Sequence, residues 1–247
     1  MDFRWAAPRP MTRTAVYFAS LAVLLAATPA LAQEAPAAPT LAAEPAPAVE
    51  ATPTPAAAPA ATETASKPAA PDPTRLITPD VVAAVKKLLA QPVTMISIGA
   101  SNDAHGNIDQ AGIDKLDNEW KSEAKTEKQP LIAEMLSSPL SNYLLYLQAQ
   151  SAGLYTEMFV MDNKGLNVGQ SSVTSDYWQG DEAKYQKTFQ VGPDAVFIDE
   201  AEFNDDSKTW RAQVNFTIVD PASGKSIGAA TIEMNLTELE RRQAQAM

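Results

Sequence analysis

Three aromatic rings and a cluster of carboxylates fall together in the stretch SDYWQGDEAKYQKT, residues 175–188. Tyr177, Trp178 and Tyr185 offer apolar walls while Asp181 and Glu182 offer negative charge, the combination with which a pocket holds a cationic amine. On a helix starting near Gln179, Glu182 and Tyr185 share a face, as do Asp181 and Tyr185. The same residues also suit a structural part, with Trp178 and Tyr185 capping a hydrophobic sheet face and the two acids favouring a helix N-terminus. Asp199 and Arg211 could complete a pocket, although Arg211 can equally pair with a carboxylate on a neighbouring strand.

Covalent chemistry has little to work with. The sequence holds one histidine, His105 in the polar run SNDAHGN, and no cysteine. A Ser-His-Asp arrangement would depend on that one imidazole, and neither G-x-S-x-G, H-E-x-x-H nor a Gly-rich phosphate loop occurs. Metal sites of His and Cys type are excluded. The acidic run DEAEFNDDSK, residues 199–208, reads as a hairpin turning at Asn204–Ser207 rather than as an oxygen-ligand cation site. The expectation is a protein that is not an enzyme and carries no metal or cofactor.

The elements that must position these residues change type midway. Thr78-Pro79 and Ser138-Pro139 each place an N-cap before proline at the first helical position, and Asp109 can cap a helix with Ile113, Leu116 and Trp120 on one side. Gln91-Pro92 stops the first of these helices, and the third, through Leu140, Tyr143, Leu144 and Leu147, ends near Gly153. Beyond Gly153 the apolar period shortens to two, and strands are predicted over YTEMFVM, AVFIDEAEF, TWRAQVNFTIV and IGAATIEMNL. In TWRAQVNFTIV, Trp210, Ala212, Val214, Phe216 and Ile218 form a buried side, and Arg211, Gln213, Asn215 and Thr217 a wet or ligand-facing one. Asp162-Asn163-Lys164-Gly165 and Asp220-Pro221-Ala222-Ser223-Gly224 read as hairpin turns whose Asp side chains accept from their own backbone amides.

Ahead of these elements, Arg9 and Arg13 precede an apolar run, Thr14–Ala27, and small residues at Ala30 and Ala32. This predicts a signal peptide over residues 1–32, cut after Ala32, since the run is shorter than the ~20 residues of a membrane span. Residues 33–73 contain 26 Ala or Pro and no aromatic or Gly, the composition of a disordered spacer. One domain is expected over 74–247, in the periplasm or outside the cell, without disulfides to support it. The formal net charge of −11 disfavours nucleic acid and anionic lipid as partners.

Helices, a hairpin, a helical crossover and further strands, with DNKGLNVG and VDPASGKSIG at the hairpins and SDYWQGDEAKYQKT between them, resemble the Cache family of extracytoplasmic PAS-like sensors, also called PDC sensors. The resemblance covers about Thr78 to Leu239. It implies an α+β fold in which N-terminal helices, the first of them long, pack on a five-stranded antiparallel sheet. It also implies a small-molecule ligand held between the sheet and the crossover, at Tyr177, Trp178, Asp181, Glu182 and Tyr185. No Arg precedes Tyr177-Trp178 in the crossover, so the pattern by which amino-acid-sensing members hold a carboxylate is absent, and amines stand beside amino acids as expected ligands. The signal would pass to an envelope or receptor protein, and a homodimer through the first helix is a further possibility. The alternative is a structural or protein-interaction module of the cell envelope that has lost its ligand.

Overall fold

The computed structural model describes residues 67–245, so the expected signal peptide and most of the expected spacer lie outside the described residues. A single helical turn, α1 (Pro73–Leu76), leads to α2 (Pro79–Leu89), α3 (Pro92–Ala104), α4 (Gln110–Glu123), α5 (Pro130–Ser137) and α6 (Pro139–Gln150). Local chemistry starts three of them as expected: Thr78 accepts from the Val81 amide at 3.4 Å, Asp109 from Gly112 at 2.9 Å and Ser138 from Ser141 at 3.1 Å. Pro92 and Pro130 do more than punctuate, since each occupies the first turn of a new helix, where its missing N–H costs nothing. The first helix stops before Gln91-Pro92 as its sequence predicts, so the long first helix that the resemblance implies is divided here into α2 and α3, which bend by 71° at the break.

The strands follow as β1 (Tyr155–Met161), β2 (Asn167–Gln170), β3 (Val196–Ile198), β4 (Glu202–Asn204), β5 (Thr209–Val219) and β6 (Ser226–Asn235), with the short α7 (Ala183–Gln186) in the crossover and α8 (Leu236–Gln245) last. The architecture is α+β, and the antiparallel sheet runs in the order β2-β1-β6-β5-β3. Its sixth strand was not expected. AVFIDEAEF breaks at Asp199–Ala201 into β3 and β4, which pair with successive parts of the longer β5.

Strand alternation divides the sheet into two faces. Trp210, Ala212, Val214, Phe216 and Ile218 join Met158, Val160, Ile232 and Met234 beneath α2, α3 and α6, forming the main core with Val85, Leu89, Ile98, Leu140 and Leu144. Each such fully buried aliphatic side chain contributes roughly 1.5–3 kcal/mol by leaving water. A second cluster, around Trp120, Ile132 and Leu166, joins α4 and α5 to the hairpin and crossover. The other sheet face carries Arg211, Gln213, Asn215 and Thr217, flanked through the register by Thr231 and Glu233 of β6 and Glu157 and Phe159 of β1.

The two turns obey the backbone logic of their sequences. Asp162 accepts from the Lys164 and Leu166 amides at 2.8 and 3.0 Å, and Asp220 from the Ala222 and Ser223 amides at 3.0 and 3.2 Å. Gly165 has φ of 82°, and a Cβ there would stand 2.7 Å from the Gly180 Cα, so both the turn and the close approach of the crossover require glycine.

Candidate functional site

The crossover from β2 to β3 covers the polar sheet face unevenly. In the middle, Tyr185 and Phe189, stacked with centroids 5.2 Å apart, pack over Phe159, Met161 and Ala229. Toward the β4 end the cover lifts, leaving a cavity of about 200 Å³ between Glu182 and Lys184 of the crossover, Arg211 and Glu233 of the sheet, and the loop carrying Asp199. Five lining carboxylates (Glu182, Asp199, Glu200, Glu202, Glu233) face two cations (Lys184, Arg211).

Four of those charges are held in pairs. Arg211 Nη1 lies 2.9 Å from Glu233 Oε1, which also accepts from the Thr156 hydroxyl. Lys184 Nζ lies 2.8 Å from Glu182 Oε2 and 5.3 Å from the centre of the Phe159 ring. Beside them Glu157 accepts from Ser172 Oγ at 3.0 Å. Burial pushes its carboxyl above the ordinary range, the Ser172 bond opposes that rise, and the charge of Glu233 adds to it. The cavity thus combines anchored cations with an excess of negative charge, an environment suited to a small molecule with a positive group.

The crossover aromatics stand elsewhere. Tyr177 is buried among Trp120, Ile113 and Leu166, its ring centre 5.5 Å from that of Trp120. Asp117 of α4 fixes it by accepting from the Tyr177 and Trp178 amides at 3.0 and 3.2 Å, while Lys121 bridges Asp117 and Asp176 at 2.6 Å each. Burial raises the Tyr177 hydroxyl to about 12. Trp178 lies over Gly180 and donates from Nε1 to the Lys164 carbonyl at 2.8 Å, and Tyr185 donates to the Asn163 carbonyl at 2.8 Å. The three rings therefore fasten the crossover to α4 and to the β1–β2 turn, and none lines the polar cavity.

Asp181 is exposed, and Glu182, the N-cap residue of α7, is the one member of the five candidates at the cavity. Asp199 and Arg211 join it there. Lys184, Glu233 and Glu157 were not singled out from the sequence. Glu233 and Glu157 carried a readable signal, each occupying the polar side of an alternating strand, but their meeting depends on the β1–β6 register.

His105 ends α3 and meets both a serine and an aspartate, though not as a catalytic triad. Its Nδ1 lies 2.8 Å from Asp162 Oδ2 and 3.2 Å from Ser101 Oγ, and Ser101 itself donates to Asp162 at 2.9 Å. A nucleophile needs the imidazole nitrogen opposite the one that faces the acid. Here both partners crowd one nitrogen, so Ser101 is a structural donor that ties α3 to the turn. Among the described residues no group of three or more His, Asp or Glu is arranged to hold a metal ion.

No family model matches the chain, and no curated protein matches it. Among solved structures it is similar to sensory ligand-binding domains. One is that of the Campylobacter jejuni chemoreceptor Tlp3 in complex with L-valine (15% identity, TM-score 0.32, covering 66% of this chain and 62% of that one). Another is that of the Pseudomonas aeruginosa amino acid chemoreceptor PctC in complex with GABA (13%, 0.33, 65% and 62%). A third is the sensor domain of the V. cholerae histidine kinase DctB (11%, 0.28, 66% and 58%). The chain spans less than two thirds of the length of each.

Proposed function

We propose that this chain is an exported, non-enzymatic sensor domain that reversibly binds a small molecule bearing a positive group, an amine or an amino acid, in the polar cavity beside α7. One observation carries this reading: five carboxylates and two anchored cations converge on an otherwise polar sheet face. Arg211 and Lys184 would receive a carboxylate, and the surplus acids an ammonium. At about 200 Å³ the cavity is smaller than the ~300–1,000 Å³ of common ligand pockets, which restricts it to a compact ligand. Occupancy would be passed to an envelope partner.

A thermal-shift screen of the full chain against short amines, amino acids, dicarboxylates and purines tests this, because a ligand specific to the folded state raises its stability. The expected result is stabilisation by amines or amino acids that disappears in Asp199→Asn/Glu202→Gln, two cavity carboxylates outside the Lys184–Glu182 and Arg211–Glu233 pairs. Stabilisation by dicarboxylates alone, or by none of the classes, would overturn the reading.

A second reading, a protein-interaction module of the envelope, draws on two observations. The crossover aromatics fill the centre of the polar face, and apolar clefts of about 500 and 480 Å³ flank Lys86 between α2 and the β3 edge. A cavity that stays empty across the screen would favour this reading.

A further inference from the structure

We infer that the segment entering the domain, Lys67–Thr74, is a strap whose seating is coupled to the state of the polar cavity. The inference rests on that cavity being the ligand site, but the coupling itself can be measured without a ligand.

Its basis is the two-sidedness of β4 and the start of β5. The register pairs Glu202 with Arg211 and Phe203 with Trp210. Side chains of paired residues point the same way, and successive pairs point to opposite faces. Glu202 and Arg211 therefore line the cavity, while Phe203 and Trp210, with ring centres 5.2 Å apart, face the other way. On that far side the Lys67 ammonium stands 4.6 Å from the centre of the Trp210 ring and 5.1 Å from that of Phe203. One pair of strands thus presents its charges to the cavity and its rings to the strap.

The adjoining loop repeats the arrangement. Asp199 and Glu200 line the polar cavity and also a separate cleft of about 350 Å³ bordered by Ala70, Pro71 and Pro73 of the strap. The shared part is also lightly held. β4 has three residues, and the turn after it is exposed. An exposed cation over an aromatic ring is a weak contact, one that a small shift of the ring can release. The base of the strap is firmer, with the Ile77 amide bonded to Pro73 at 2.8 Å and Gln243 of α8 donating to the Leu76 carbonyl at 2.9 Å. A molecule that draws Arg211 or Glu202 into the cavity would move Phe203 and Trp210 with them, unseating Lys67 while the base holds. Coupling of this kind is reciprocal in free energy, so disturbing the strap must also disturb the cavity wall.

Hydrogen–deuterium exchange of the full chain, followed by mass spectrometry, tests both directions. Glu233→Gln alters the cavity from β6, one strand away from the strap, and should speed exchange severalfold at the Thr74 amide, which is bonded to Asp72 within the strap. Lys67→Ala alters only an exposed contact and should speed exchange severalfold at Glu202–Asn204 and at the Asp199 amide, which is bonded to Gln213. Exchange across α4 and α5 should stay unchanged in both variants. An unaltered Thr74 amide in Glu233→Gln, or an unaltered Asp199 amide in Lys67→Ala, would overturn the inference. If Glu233→Gln loosens α4 and α5 as well, Lys67→Ala decides alone, and an unaltered Asp199 amide in that variant refutes the coupling. Failure of the ligand screen with exchange coupling intact would remove the ligand and leave the strap; the converse would remove the strap alone.

Discussion

Replacing Arg211 by Met keeps most of the side-chain stem and removes the guanidinium that faces Glu233. The pair is neither exposed nor sealed, with side chains 25% and 20% accessible and a separation of 2.9 Å. Exposed pairs contribute about 0.2–1 kcal/mol, whereas removing one partner of a buried pair costs about 3–5 kcal/mol. The accessibilities place Arg211→Met between these limits, at about 2 kcal/mol, because Glu233 is left half-buried opposite Glu157 in the register. In a domain of this size that is a fall in melting temperature of roughly 4–8 °C. Urea denaturation should show a lower midpoint with an unchanged slope. Glu233→Gln in the Arg211→Met background should recover part of the loss, giving a coupling of about 1 kcal/mol in a double-mutant cycle. An Arg211→Met protein as stable as wild type, or a strictly additive cycle, would refute the claim that the cavity charges hold one another.

Glu157→Gln should stabilise the domain near neutral pH and lose that advantage in acid. Burial gives the folded carboxyl a higher affinity for its proton than its ordinary value of 4.5, so wild-type stability present below that value falls as pH rises through the folded one. Urea midpoints for the two proteins should converge near pH 4 and separate by pH 7, and the opposite order would refute the assignment. Trp120→Phe deletes the buried bond from Nε1 to the Thr174 carbonyl, 2.9 Å long, and leaves that oxygen unpaired at about 1–3 kcal/mol, measurable as a urea midpoint shift. Gly228→Ala drives a Cβ into the Met161 carbonyl oxygen and should abolish soluble expression, whereas Gly99→Ala, with open space around the new methyl, should add about 0.5–1 kcal/mol of helix stability by thermal melting.

Local chemistry was legible in the sequence wherever one residue acts on its near neighbours. The caps at Thr78, Asp109 and Ser138, the Asp-led turns at Asp162 and Asp220, and the buried side of β5 all depend on contacts within a few positions or on strict alternation. Pro92 and Pro130 were harder to read, because proline both ends one helix and suits the first turn of the next. The segments after them, with Thr94, Ile98 and Ile132 buried, became helices through long-range packing.

The candidate site shows the same division. Composition alone put aromatics and acids together in the crossover, but it could not say which way each would face. Tertiary structure sent Tyr177 toward Trp120 and Tyr185 toward Phe159, because a large ring gains more by closing a core than by lining a wet cavity and its hydroxyl or N–H needs a single acceptor. It left Glu182 at the cavity and brought in Glu233 and Arg211 from two strands, a meeting set by the β5–β6 register over a separation of 22 residues. By itself the sequence determined the alternation that makes one face of β5 polar. Only the fold decided which charges share that face, since register depends on the packing of the opposite, apolar face beneath the helices.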